Sequence, residues 1–519
     1  MKRITPLLLP VLVAATCTTS GGEAPADLGD AAATITASDM YDRIAFLASD
    51  ELRGRNTPSP GLDTAAQWVA DELASFGVQP AGDDGWFQRY PYPAVGLDAE
   101  STVLQVAGGA THTFRYGSEF WARSGAGPAQ AVGMVFIGRE LPEDAQVADR
   151  AVVVRLPGLP EEGRRGMRLD RDARGQAYRT LARAAEGGAA AVVFVMDPAL
   201  TEDDVEALAA AEEAPSRSVG GVSDDDAVPP AFFVRYQAGL RLFHMAGLEG
   251  EALLSRRELE RPVPLPGVTA RAAAPRRAVD DATAPNVVGV LPGSDEELRD
   301  SYVVVSAHMD HVGVGRPDET GDSIYNGADD DASGTAVLVE VAEALATLER
   351  KPRRSVLFVA VSGEEKGLLG SRWFADHPTV PLDVMVANVN LDMVARNAPD
   401  SIVVIGQEYS SLGPLVRNIA GERPELGLTV SEDLWPEQRF FFRSDHFSFA
   451  AKEVPALFFF AGTHEDYHRP SDEVDSVDTD KAARVGRLVL YLTHAIADNV
   501  TPPEWDPEGL ETVRELTRR

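Results

Sequence analysis

The side chains in this chain best suited to chemistry are histidines and carboxylates, and they recur in short clusters between positions 308 and 468. His308-Met309-Asp310-His311 is followed by Asn326-Gly327-Ala328-Asp329-Asp330-Asp331-Ala332-Ser333-Gly334 and Gly363-Glu364-Glu365-Lys366-Gly367. Asn390-Leu391-Asp392-Met393 and His464-Glu465-Asp466-Tyr467-His468 complete the set. Taken singly each is ordinary: a His-x-Asp is commonly a surface pair, an aspartate run commonly caps a helix, and adjacent glutamates commonly face water. Gathered at one place, so many carboxylates would repel one another severely unless a cation neutralised them. Cys17 is the only cysteine, which excludes internal disulfides and thiolate cages and leaves nitrogen and oxygen as metal donors. Zinc is the leading ion for such donors, with cobalt or manganese able to substitute.

These clusters need elements that bring them together. Runs at 287–291, 302–306, 355–361, 384–391, 402–405 and 456–460 are short, apolar and β-branched without alternation, as strands covered on both faces should be. Helical patterns intervene at about 332–349, 370–376, 412–419 and 481–499. The expected fold class is therefore α/β, with a mostly parallel, doubly covered central sheet. Ligands in such sheets gather beyond the carboxyl ends of the strands, which is where four of the runs meet the His and carboxylate clusters. Before this region, 119–262 reads as a small inserted α/β domain: buried strands near 132–137, 151–156 and 230–234, and a helix at 177–186 running into Gly187-Gly188.

The order of the motifs resembles the co-catalytic, dinuclear zinc aminopeptidase family of aminopeptidases S and Y. The resemblance extends to Leu47-Ala48-Ser49-Asp50-Glu51-Leu52-Arg53-Gly54-Arg55 and to Arg443-Ser444-Asp445-His446, and the stretch 184–195 looks like the protease-associated domain of many members. It implies a zinc-exopeptidase-like (phosphorylase/hydrolase-like) fold at 39–118 and 263–499, with the protease-associated insert at 119–262. It also implies two Zn²⁺ ions: His308 and Asp392 at one, Glu365 and His468 at the other, Asp330 bridging both, and Glu364 as general base. Asp310 is placed to orient His308. His311, His446 and His464 are expected as loop or supporting residues, Asp329 and Asp331 as helix caps, and Phe440 to Phe442 as a wall for a substrate side chain. Relatives that carry disulfide-bonded cysteines near the pocket have no counterpart here, so no side-chain preference is inherited.

The implied activity is removal of N-terminal residues from peptides. Alternatives are a carboxypeptidase or dipeptidase of the same fold, for which Arg443 and Arg469 are the nearby carboxylate-binding candidates, a one-zinc glutaminyl cyclase, or a non-catalytic receptor-like binding protein. With 81 Asp and Glu against 48 Lys and Arg, the formal charge of −33 opposes binding to nucleic acid or to anionic lipid headgroups. The opening 1–17, with Lys2, Arg3 and an apolar run into Ala15-Thr16-Cys17, reads as an export signal of lipoprotein type, with Cys17 the lipidated residue. Residues 18–38 would then be a flexible tether and 500–519 a tail. The chain is expected in the periplasm or anchored to the cell envelope, otherwise secreted, touching membrane only through that lipid.

Overall fold

The computed structural model describes residues 27–125, 127, 130–142, 145–156, 171–221, 228–256, 259 and 261–517. The expected leader with Cys17 and the first part of the expected tether lie outside the described residues. The chain divides into two compact units, Met1–Gln88 with Pro285–Arg519, and Arg89–Ala284.

In the first unit, three helices, α1 (Leu28–Thr34), α2 (Ala37–Leu47) and α3 (Pro60–Ser75), precede strand β1 (Gln79–Pro80). After the second unit come β2 (Thr283–Leu291), β3 (Tyr302–His308), α4 (Gly334–Thr347), β4 (Ser355–Val361), α5 (Leu369–Asp376), β5 (Met385–Leu391) and β6 (Ser401–Ile405). The remainder is α6 (Leu412–Glu422), β7 (Thr429–Ser431), α7 (His446–Ala450), β8 (Ala456–Phe460), α8 (Thr479–Asp498) and α9 (Pro507–Thr517). The sheet order is β1-β2-β4-β3-β5-β8-β6-β7. β4, β3, β5 and β8 are mutually parallel, β2 runs antiparallel to both its neighbours, and β6 is antiparallel to β8 but parallel to β7.

The β-branched runs become strands because both faces are covered. Every residue of β4 is buried, with Val356, Leu357, Phe358 and Val359 at 0% exposure. Fully burying one such side chain stabilises the fold by about 1.5–3 kcal/mol. α4 is buried almost all round, from Gly334 to Leu345, and its sequence lacks the polar stripe of a surface helix. Parallel pairing of four central strands points their carboxyl ends in one direction, so His308, Gly363, Asp392 and Ala461 emerge on a common edge.

Three boundaries differ from the sequence expectation. The expected tether is helical from Leu28: Ala31, Ala32 and Ile35 are buried, and the Arg487 guanidinium of α8 donates to Ile35 O at 2.8 and 3.1 Å. The expected tail forms α9, whose Val513 is 1% exposed among aromatic side chains and whose Arg514 pairs with Glu453 at 2.8 Å. The second unit is also larger than 119–262. Its eight-stranded sheet recruits Val103–Gly108 and Val263–Ala273, which pair with each other from Thr269↔Ala107 to Ala273↔Val103. Within it, Val132–Phe136, Arg150–Arg155, Ala191–Val195 and Ala231–Val234 are parallel, with apolar clusters on both faces. Among the described residues no helix is long and apolar enough to cross a membrane.

Candidate metal centre

Five side chains converge at the common edge. His308, the last residue of β3, directs Nε2 to within 3.3 Å of Asp330 Oδ1 and 3.5 Å of Asp392 Oδ1. The other oxygen of Asp330 lies 3.2 Å from His468 Nε2, which in turn lies 3.1 Å from Glu365 Oε2. Asp330 therefore stands between two half-sites, one oxygen toward each. His308, Asp330 and Asp392 are buried, and Glu365 nearly so.

Each is positioned by a local device. Asp330 precedes α4 in an irregular turn that begins at Gly327, whose φ is 59° and where a Cβ would lie 2.1 Å from Asp330 O. Only glycine fits that approach. Asp331 fastens the turn to both neighbouring strands: it accepts from His308 N at 3.2 Å, Gly334 N at 2.9 Å and Met393 N at 3.1 Å. Asp329 accepts from Ala395 N at 2.7 Å, and Asp472 accepts from the Asp329 and Asp330 amides. The flanking aspartates thus cap backbone, leaving Asp330 as the one of the three aimed at the imidazoles of His308 and His468. Glu364 and Glu365 sit on a tight turn after β4 between Gly363 and Gly367, both at positive φ. Asp310 accepts from Glu364 N at 3.2 Å, and its backbone carbonyl lies 3.1 Å from His308 Nδ1. That contact fixes the ring of His308 with Nε2 toward the site.

Sequence reasoning left four participants aside. His311 was expected as a loop or supporting residue and not as a member of the ligand set; its Nδ1 lies 2.7 Å from Glu365 Oε1, so it joins the second half-site. Its place three residues after His308 was the available signal. His464 Nε2 lies 3.4 Å from Asp329 Oδ2, whereas His446 is buried on α7, stacked on Phe458. Arg55, 1% exposed, donates to the carbonyls of Leu47, Met309 (2.7 Å), Asn326 (2.7 Å) and Gly327 (3.0 Å), joining α2 to both ligand-bearing loops. Asp472 lies in a loop, and nothing in its sequence neighbourhood marks it.

The electrostatics follow from burial and neighbours. Burial opposes charge on His468, but hydrogen bonds to Asp330 and Glu365 prevail and raise it to about 10. Burial likewise pushes Glu365 upward, and the Asp330 charge adds to that, yet His311 and His468 bring it down to about 2. Burial raises the Glu364 carboxyl well above the usual carboxylate range, with Asp392, Asp445 and Glu365 adding to it and His308 opposing. His308 Nε2, both ring nitrogens of His311 and Glu365 Oε1 are buried and make no well-aligned hydrogen bond, although His311 Nδ1 and Glu365 Oε1 lie 2.7 Å apart. Buried polar atoms without partners are costly. The ligand atoms of His308, Asp330 and Asp392, and those of His311, Asp330 and Glu365, lie within 4.8 Å of one another. Imidazole nitrogens and carboxylate oxygens facing inward without hydrogen bonds are what a zinc-class cation requires, so the residues fit such an ion.

Beside this cluster opens a cavity lined by Asp330, Glu364, Asp392, Met393, Phe440, Phe458, Phe460 and Tyr467, with Arg443 also on its wall. Phe440 is there as expected, but Phe441 and Phe442 are not. Phe458 and Phe460 contribute to the wall as well as to the core.

The model of peptidase family M28 matches residues 286–493. This stretch is similar to peptidase family M28 domains. It holds all five converging residues. The chain is also similar to a probable zinc metalloprotease of Leptosphaeria maculans, 36% identical over 115 residues, 22% of this chain and 25% of that protein. It is similar to aminopeptidase YwaD of Bacillus subtilis, 26% identical over 242 residues, 44% of this chain and 48% of that protein. The chain therefore spans less than half the length of either relative. Among solved structures, an aminopeptidase from Aneurinibacillus sp. strain AM-1 aligns with a TM-score of 0.48 at 18% identity, covering 90% of this chain and 95% of that one.

Proposed function

We propose that the chain is a zinc-dependent aminopeptidase that hydrolyses N-terminal residues from peptides at the M28 domain. The observation that carries this reading is the position of Asp330 between His308 and His468, one carboxylate oxygen toward each. In it, His308 and Asp392 hold one zinc, Glu365 and His468 the other, and Asp330 bridges both, with cobalt or manganese as substitutes. Zinc, when bound there, supplies Lewis acidity toward the scissile carbonyl and a more acidic water.

The protein's own part is positioning and proton transfer. Glu364 lines the cavity and is the general base: it takes a proton from the attacking water and returns it to the departing amine. Its raised carboxyl suits a group that must both accept and donate. Carboxylates on the cavity wall attract a free substrate amine, and Phe440, Phe458 and Phe460 offer an apolar wall to the residue being removed. An exported chain held at the envelope through Cys17 completes the proposal, and the second unit, read as a protease-associated domain, is accessory to it.

Metal analysis paired with two substrates tests it. An amino-acid anilide should be cleaved, its N-acetylated form should not, and about two zinc equivalents should survive dialysis. Equal rates on the two substrates would reject an aminopeptidase and favour an endopeptidase or acylase activity of the same site.

A further inference from the structure

One buried hydroxyl ties the two halves of the centre together, and it comes from the far end of the chain. Thr57, 2% exposed, lies between α2 and α3, more than 250 residues before the first cluster. Its Oγ1 donates to Asp310 Oδ2 at 2.8 Å and accepts from Gly363 N at 3.1 Å. Asp310 Oδ1 in turn accepts from Glu364 N at 3.2 Å. These three contacts close a ring through the Thr57 hydroxyl, the Asp310 carboxylate and the Gly363–Glu364 backbone. Asp310 governs the ring of His308, and Gly363–Glu364 begins the turn that carries Glu364 and Glu365. Both capacities of the hydroxyl are used, one on each side.

We infer that Thr57 is a positioning residue, setting His308 and the Glu364–Glu365 turn in mutual register through Asp310. The inference rests on the metal-centre reading above. Removing the hydroxyl leaves a buried carboxylate oxygen and a buried N–H with a partner lost, so both groups are freed to shift. Partners at this remove from a metal typically change its affinity by about 10–100-fold.

The test uses the full chain with Thr57→Val, Thr57→Ala, Thr57→Ser and Asp310→Asn, alone and in combination. Zinc affinity is read by competition with a chromophoric chelator, and hydrogen exchange of the 363–364 amides is read in the metal-free protein. With saturating zinc, kcat and KM are then measured on an aminoacyl anilide. Thr57→Val should weaken zinc binding at least tenfold, speed exchange at 363–364, and lower kcat about tenfold with KM within twofold. Thr57→Ser should restore all three, and Thr57→Val should add little to Asp310→Asn. If Thr57→Val does not fold, Thr57→Ala against Thr57→Ser carries the same comparison. Zinc affinity and exchange unchanged in the variant lacking the hydroxyl, or losses that add fully to those of Asp310→Asn, would overturn the inference. A wild-type chain that binds zinc but cleaves no peptide would instead reject the proposed function, and the zinc and exchange readouts would still decide the role of Thr57.

Discussion

Glu365 Oε1 lies 2.7 Å from His311 Nδ1, with both side chains almost wholly removed from solvent. The second oxygen of the same carboxylate faces His468 at 3.1 Å. The two imidazoles differ in setting: His311 is fully buried, whereas the His468 side chain is 38% exposed and lies 3.9 Å from the ring of Tyr467 in a stacked arrangement. One carboxylate thus addresses an inner histidine and an outer one, and in the proposed site the inner one holds it in place while the outer one shares its cation.

This division predicts different outcomes for the two histidines. His468→Ala should reduce bound zinc from about two equivalents to one, because it removes a donor. His311→Gln should keep two equivalents at high zinc but weaken the second by roughly 10–100-fold, as loss of a supporting contact does. Zinc titration followed by dialysis separates them; one missing equivalent in His311→Gln at saturating zinc would make His311 the ligand instead.

The proposed base can be separated from the proposed ligands. Glu364→Gln preserves volume and leaves the five converging side chains untouched, so zinc content should stay at the wild-type level. Turnover should fall by about 10²–10⁴, the usual contribution of a positioned acid–base group. Wild-type kcat in this variant, measured on an aminoacyl anilide, would remove Glu364 from the role.

Zinc uptake should release protons. Without metal, His468 is raised to about 10, so its imidazole carries a proton at pH 7.5, and His308 is shifted in the same direction by the carboxylates around it. Zinc needs the neutral rings, and each proton displaced makes apparent affinity rise about tenfold per pH unit below the relevant pKa. Affinity should therefore increase from pH 6.5 toward pH 8.5. Calorimetry in two buffers of different ionisation enthalpy reads the protons directly, and identical heats in both would contradict the protonated metal-free state.

Much of the centre was legible because the four central strands of the sheet are parallel. Runs such as 302–306 and 355–361 had to be buried strands, and the residues after them had to share an edge, so His308, Glu365 and Asp392 could be grouped from order alone. The bonds that hold them were not legible. Arg55 and Thr57 act through backbone carbonyls, an amide and a hydroxyl contact with residues 250–310 positions away, and Asp472 binds two amides 142 and 143 positions before it. No local period encodes such contacts. The same limit explains α1 and α9: alanine-rich or charged segments look like linkers until a partner surface exists for Ala31, Ile35 or Val513 to cover.

His446 offers a prediction independent of zinc chemistry. Burial against Phe441 and Phe458 lowers its pKa from 6.5 to about 3, outweighing a backbone contact with Phe441 that acts the other way. The sign follows from proton counts: below pH 6.5 the unfolded chain binds a proton that the folded protein refuses, so stability is complete above 6.5 and lost as pH falls toward 3. The loss for one fully buried group approaches about 1.4 kcal/mol per pH unit. His446→Leu removes this penalty while keeping an apolar contact with both rings. In metal-free protein unfolded by urea, the variant should therefore gain on the wild type by about that slope between pH 6 and pH 4.5. A stability difference that stays constant over this interval would mean that the imidazole takes up its proton in the folded state.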